Sequence, residues 1–256
     1  MAGAHKSGRL SDEVDGYFPF DASKVAVSQR EPYTPQQIQT RVARYAEFAA
    51  TYPQLLPANI RSTKFIARLS VEAPRLTALA PRVRAFIASE PDYIALCHWN
   101  ANIDNAWFMR TPTGIECGLL DWGHVSQMNV AMALWGCLSG AEVALWNSHL
   151  EELLALFAAE FHGAGGRKLN TQQLHTHLVL YAVVMGLNWL LDVPPYIIKQ
   201  FPDLSNIESR CNTHFRKHEA ARTQLQMMTV FLNLWQMQDM GRLVSEIENR
   251  TSKVRR

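Results

Sequence analysis

The sequence predicts a mainly α-helical domain with a small embedded β-hairpin. Three observations carry that reading. The chain has 256 residues, 48% of them apolar, enough for a sizeable core. Most of the second half reads as long helical stretches: Val130–Ser139, Val143–Phe161, Thr171–Leu191 and Glu219–Glu248. Between Asp92 and Trp122 the pattern changes to short apolar runs around a turn signal, Thr111-Pro112-Thr113-Gly114.

The elements follow in order. Residues 1–33 mix Gly, Ser, Asp and Pro with scattered aromatics and read as irregular. Thr34-Pro35-Gln36-Gln37 is a helix start, with Thr34 as cap, Pro35 in the first turn and Gln37 completing a capping box. Ile38, Val42, Tyr45 and Ala49 then mark one apolar face, and Pro53 and Pro57 end the helix. Two further helices are predicted over Ala58–Leu69 and Pro81–Ser89, punctuated by Pro74 and Pro81. The hairpin is predicted as Ala106–Arg110 and Ile115–Leu120, with Tyr93–Cys97 a separate apolar run. Gly163–Gly166 and Pro194-Pro195 break the later helices, and residues 251–256 form a short basic tail.

Composition excludes several classes. A net charge of +2 with 19% charged residues argues against disorder and against a nucleic-acid surface. Cys97, Cys117, Cys137 and Cys211 form no C-x-x-C pair, so neither a zinc ribbon nor a dithiol redox site is expected. No apolar segment follows the first basic residues, and Leu178–Leu191 is shorter than the roughly 20 residues of a membrane span. The expectation is a cytoplasmic protein that engages neither membrane nor nucleic acid.

One stretch carries chemistry: His98-Trp99-Asn100-Ala101-Asn102-Ile103-Asp104-Asn105, then the hairpin, then Asp121-Trp122-Gly123. The hairpin returns the chain, so Asn105 and Asp121 are expected in one neighbourhood. An amide carbonyl and a carboxylate are hard oxygen ligands, suited to Mg²⁺ that also holds nucleotide phosphates. Taken singly, Asn and Asp are ordinary turn residues. Their spacing about a hairpin favours a site.

This pattern resembles the catalytic half of aminoglycoside phosphotransferases and related small-molecule kinases of the protein-kinase-like superfamily. Those proteins carry His-Gly-Asp-x-x-x-x-Asn, a short hairpin, and an Asp in a D-x-G-like or D-W motif. The matching residues are His98, Asn105 and Asp121, with Trp122 in the D-W form and Phe108 closing a D-N-x-x-F run. Ala2-Gly3-Ala4-His5 resembles the family's L-A-x-L-H helix. The likeness covers about 26 residues sharply and the rest loosely. It implies a helical C-terminal lobe over residues 34–250: helices in 34–91, the catalytic loop and hairpin in 92–123, a helical subdomain in 124–250. It also implies ATP and Mg²⁺ as cofactors, held through Asn105 and Asp121, and phosphoryl transfer to a small-molecule hydroxyl. His98 would orient the catalytic loop.

The sequence departs from the family at three places. The catalytic-base Asp falls at Asn100, which has no titratable carboxylate. Loss of a general base costs on the order of 10²–10⁴ in rate. Asn100 could still position a hydroxyl through its amide oxygen, and Asp104 is a weaker substitute. No Gly-rich strand–turn–strand and no V-A-I-K-like run precedes His98, so the N-terminal β lobe is absent. The Gly-x-Pro and Asp-Leu-Ala that often follow the metal-binding Asp are replaced by Gln127–Leu134. Three functions remain open: a weakly active phosphotransferase, a pseudokinase-like module that binds a ligand or partner without transfer, and a truncated chain with no activity of its own. The missing lobe implies an N-lobe partner or self-association.

Other features read as structural. Met227, Met228, Phe231, Leu234 and Trp235 form a core stripe. His175 and His177 sit on different sides of a helix, and His214/His218 lacks the Glu of H-E-x-x-H. The Gly163–Gly166 run follows no strand and is not a phosphate cradle. Arg41, Arg44, Arg61, Lys64 and Arg68 are expected on a solvated face.

Overall fold

A computed structural model describes residues 11–21 and 32–253. The Ala2–His5 run and most of the segment predicted irregular therefore lie outside the described residues. Within that segment, Ser11–Tyr17 is a helix, α1, rather than irregular chain. The chain divides into two compact units. One comprises residues 1–26, 84–140 and 147–181; the other 27–83, 141–146 and 182–256.

In the second unit, α2 spans Pro35–Thr51 and begins as the sequence requires. Thr34 accepts from the Gln37 N–H, and the Gln37 side chain accepts from the Thr34 N–H. Its inward face is Ile38, Val42, Tyr45, Phe48 and Ala49, with the Tyr45 hydroxyl donating to Ile60 O at 2.8 Å. The two helices predicted over 58–69 and 81–89 are one, α3, Thr63–Ala88, with Pro74 and Pro81 inside it. Leu69, Ala73, Leu76, Ala80, Val83 and Ile87 keep helical spacing through both prolines and are buried. That continuous apolar stripe outweighs about 3 kcal/mol of intrinsic cost per proline.

In the first unit, β1 (Ile94–His98) pairs antiparallel with β4 (Val125–Asn129), from Ile94↔Asn129 to His98↔Val125. Between them the hairpin β2 (Ala106–Thr111) and β3 (Gly114–Leu119) pairs from Ala106↔Leu119 to Thr111↔Gly114. The predicted hairpin is present. The Tyr93–Cys97 run became β1, and the second sheet was not foreseen. Helix α4 (Val130–Leu138) follows, capped by Asn129. Asn129 also donates through Nδ2 to Ile87 O and to His177 Nδ1, so the buried His177 ring accepts at Nδ1.

Helices α5 (Val143–Gly163) and α6 (Thr171–Trp189) match expectation. Helix α7 spans Val193–Gln200 and α8 Thr213–Lys217. The helix predicted over Glu219–Glu248 is two: α9, Glu219–Met237, and α10, Met240–Lys253. Asp239 makes the break by capping the Arg242 N–H at 3.0 Å. The tail expected over 251–256 is helical as far as Lys253. The Thr171–Gln200 stretch is longer than the apolar run seen in the sequence and could span a membrane by length and composition, but 78% of its apolar window is buried inside the protein.

The basic residues on α2 and α3 are not all solvated. Arg41 Nε lies 2.9 Å from Asp192, and its guanidinium stacks 3.4 Å over the Tyr33 ring. Arg68 donates to the carbonyls of Trp235 and Gln238 at the end of α9, a charge that suits a helix C-terminus. His218 N-caps α9 by accepting from the Ala221 N–H. The stripe on α9 is core, with Met228, Phe231, Leu234 and Trp235 buried.

Candidate active site

Strand β1 delivers His98 at its C-terminal end, where it is 2% exposed. The chain then turns sharply, and Asn102 organises the turn. Its Oδ1 accepts from the Asp104 and Asn105 N–H groups at 2.9 and 3.3 Å. That is a local side-chain cap on the 3-10 turn Ile103–Asn105, the geometry for which Asn competes well. Its Nδ2 donates to Asn100 Oδ1 at 2.9 Å.

Asn105 closes the loop on itself and onto the hairpin. Its Nδ2 donates to Asn100 O at 2.8 Å, and its own carbonyl accepts from the Leu120 N–H at 2.8 Å. One of its two Nδ2 hydrogens is used there, and its amide oxygen is an acceptor. Leu120 is held on its other side too: His98 Nε2 donates to Leu120 O at 2.7 Å. His98 thus positions the chain just before Asp121 and leaves Nδ1 buried with no hydrogen-bond partner.

Clamping Leu120 at both polar groups fixes where Asp121 begins. Asp121 has φ 52° and ψ 63°, the only described residue other than glycine with a positive φ. An L-residue in this left-handed region costs roughly 1–2 kcal/mol, somewhat less for Asp. Its side chain makes no capping hydrogen bond that would repay the strain, and it is exposed. Backbone strain that its surroundings hold in place concentrates at functional sites. Gly123 lies under the carboxylate, where a Cβ would sit 3.4 Å from Asp121 Oδ1. The Trp122 ring packs edge-on against His98 at 4.9 Å.

Two helices hold the loop from behind. A Cβ on Gly136 of α4 would lie 1.9 Å from Trp99 O, so only glycine lets the helix meet this backbone. Trp99 Nε1 donates to the Tyr181 hydroxyl on α6 at 2.9 Å, and burial pushes that hydroxyl's pKa up.

The structure therefore gathers all four residues singled out in the sequence. His98 and Asn105 grip Leu120 from opposite sides, Asp121 follows directly, and Asn100 anchors Asn105 through its carbonyl. The roles of Asn102, Gly136 and Tyr181 were missed, since each depends on a contact that spacing does not reveal. Among the described residues no three His, Cys, Asp or Glu side chains are grouped to hold a metal. The hard oxygens of the Asn105–Asp121 pair are one carboxylate, on Asp121, and one amide oxygen, on Asn105. A search of family models, of curated proteins and of solved structures finds no match to this chain.

Proposed function

We propose that this chain carries the catalytic-loop half of a phosphoryl-transfer site, similar to that of aminoglycoside phosphotransferases and related small-molecule kinases. Its cofactors are ATP and Mg²⁺, and its acceptor is a hydroxyl on a small molecule. The observation that carries the reading is Asp121, held in a left-handed conformation beside Asn105 by the two-sided grip on Leu120. The order of loop, hairpin and Asp accords with the resemblance.

Bound Mg²⁺ would neutralise charge on the β- and γ-phosphates. Asp121 and Asn105 would supply its protein oxygens. His98 keeps Asp121 in place through Leu120. Asn100 stands where the acceptor hydroxyl's proton would go, and it cannot take a proton at neutral pH. One of its lone pairs is already occupied by Asn102 Nδ2. Transfer by this chain is therefore slow, resting on positioning alone.

That same feature supports a second reading, a pseudokinase-like module that holds nucleotide or a partner without transfer. The variant Asn100→Asp separates the two. Asn102 Nδ2 already donates to this position, so a carboxylate oxygen is received without rearrangement. If the site is a weakened transferase, Asn100→Asp raises ATP turnover by at least the order of 10². Unchanged turnover in a variant that still binds ATP favours the binding module.

A further inference from the structure

A cavity of about 390 Å³ lies within the first compact unit, against the β1–β4 sheet. That volume is in the range of small-molecule sites. Its apolar walls are Val14 of α1, Phe20 just after it, Ile94 of β1 and Phe161 of α5. Its polar groups are mostly acceptors. Asp15 and Asp92 bring carboxylates, and Gln127 reaches in from β4. Gln127 is only 8% exposed. Its Nε2 donates to Asp15 Oδ1 at 2.6 Å and to Phe18 O at 2.8 Å, which uses both hydrogens. Its Oε1 accepts from no described residue. Two helix C-termini also reach the cavity, α3 at Ala88 and α5 just before Gly165 and Gly166. Each carries the partial negative charge of its last carbonyls. Arg167, the cation among the lining residues, has its Nε 3.5 Å from Asp92 and is 80% exposed. An exposed pair of this kind holds weakly.

We propose that this cavity binds a small organic cation, an amine carried on an apolar or aromatic body. An ammonium group donates three hydrogen bonds and accepts none, which suits a wall of carboxylates, helix C-termini and a spare amide oxygen. A largely buried acceptor without a donor is costly, so Gln127 Oε1 gains from an ammonium N–H. Phe20 and Phe161 supply rings of the kind that attract a cation at short range. A carboxylate ligand would be repelled by the same groups. A neutral alcohol would gain the apolar contacts without the charge. The cavity is separate from Asn105 and Asp121: Ile94 opens β1 and His98 ends it, about 13 Å along the strand. Binding here requires no phosphoryl transfer.

Amide NMR spectra of the full chain, titrated with phenethylamine, phenethyl alcohol and phenylacetate, test this. The amine should bind with a Kd of about 0.1–1 mM, about tenfold or more tighter than the alcohol, and phenylacetate should not bind. The shifts should centre on Gln127, Gly165 and Gly166. Asp15→Asn and Asp92→Asn should each weaken the amine about three- to tenfold and leave the alcohol unchanged. Asp92 takes no part in the Gln127 contact with α1, so Asp92→Asn reads the charge alone should Asp15→Asn displace that helix. Arg167→Gln removes the competing cation and should tighten the amine about threefold. No amine binding up to about 10 mM overturns the proposal. So do amine and alcohol bound alike, shifts confined to other parts of the chain, or an amine affinity that both carboxylate variants leave unmoved.

Discussion

Replacing Asp121 by Gly and by Ala separates its two roles, backbone and ligand. The carboxylate makes no capping hydrogen bond, so neither substitution removes a structural contact of that kind. What differs is the backbone at φ 52°. Alanine keeps the left-handed penalty of roughly 1–2 kcal/mol, whereas glycine escapes it. Glycine gives back some 0.5–1 kcal/mol through the greater freedom of its unfolded chain. Asp121→Gly should therefore be more stable than Asp121→Ala by about 0.5–1 kcal/mol. In a chain of this size that is a difference in Tm of roughly 1–4 °C. Both variants should lose Mg²⁺-dependent ATP binding. Thermal unfolding followed by circular dichroism reads the first, and titration calorimetry the second. Asp121→Ala equal to or more stable than Asp121→Gly would refute the strained backbone, and with it the argument that this residue is held for function.

Further outcomes follow from other contacts. Asn102→Ala removes the cap on the 3-10 turn and should cost about 1–2 kcal/mol in urea unfolding while weakening nucleotide binding through Asn105. Gly136→Ala forces α4 away from Trp99 O and should cost about 1–3 kcal/mol by the same assay. Burial pushes the Cys97 thiol up to about 12, so iodoacetamide at pH 8 should label the exposed Cys117 and Cys211 and spare Cys97, read by peptide mass spectrometry. Burial lowers the His175 pKa, with Glu151 opposing only in part. The folded state thus binds this proton less readily than the unfolded state. Stability is full above the unfolded value near 6.5 and declines as pH falls below it. His175→Gln should flatten that decline in unfolding midpoints between pH 7.5 and 5.

What was legible in the sequence was what local chemistry decides. The capping box at Thr34, the turn at Thr111–Gly114 and the apolar stripe of α9 each depend on residues within a few positions of one another. The approach of Asn105 to the chain before Asp121 spans sixteen positions, but it was legible because a hairpin with a clear turn signal must return its ends together. The failures share the opposite character. Pro74 and Pro81 signalled breaks, yet buried residues along α3 carried the helix through them. Strand β4 is short and half polar, and only its pairing with β1, about thirty residues earlier in the chain, makes it a strand. The break between α9 and α10 hangs on one capping Asp239 inside an otherwise helical pattern. Arg41 and Arg68 looked like solvated charges because their partners, Asp192 and the end of α9, are more than 140 residues away.

Titration of the purified chain with ATP, with and without Mg²⁺, tests the proposal that Asn105 and Asp121 form a nucleotide–metal site. Binding is expected to require Mg²⁺ and to be lost in both Asp121→Ala and Asn105→Ala, with each variant folded by circular dichroism. Folded wild-type protein that takes up no ATP, or binding that ignores Mg²⁺ and survives both substitutions, would contradict it.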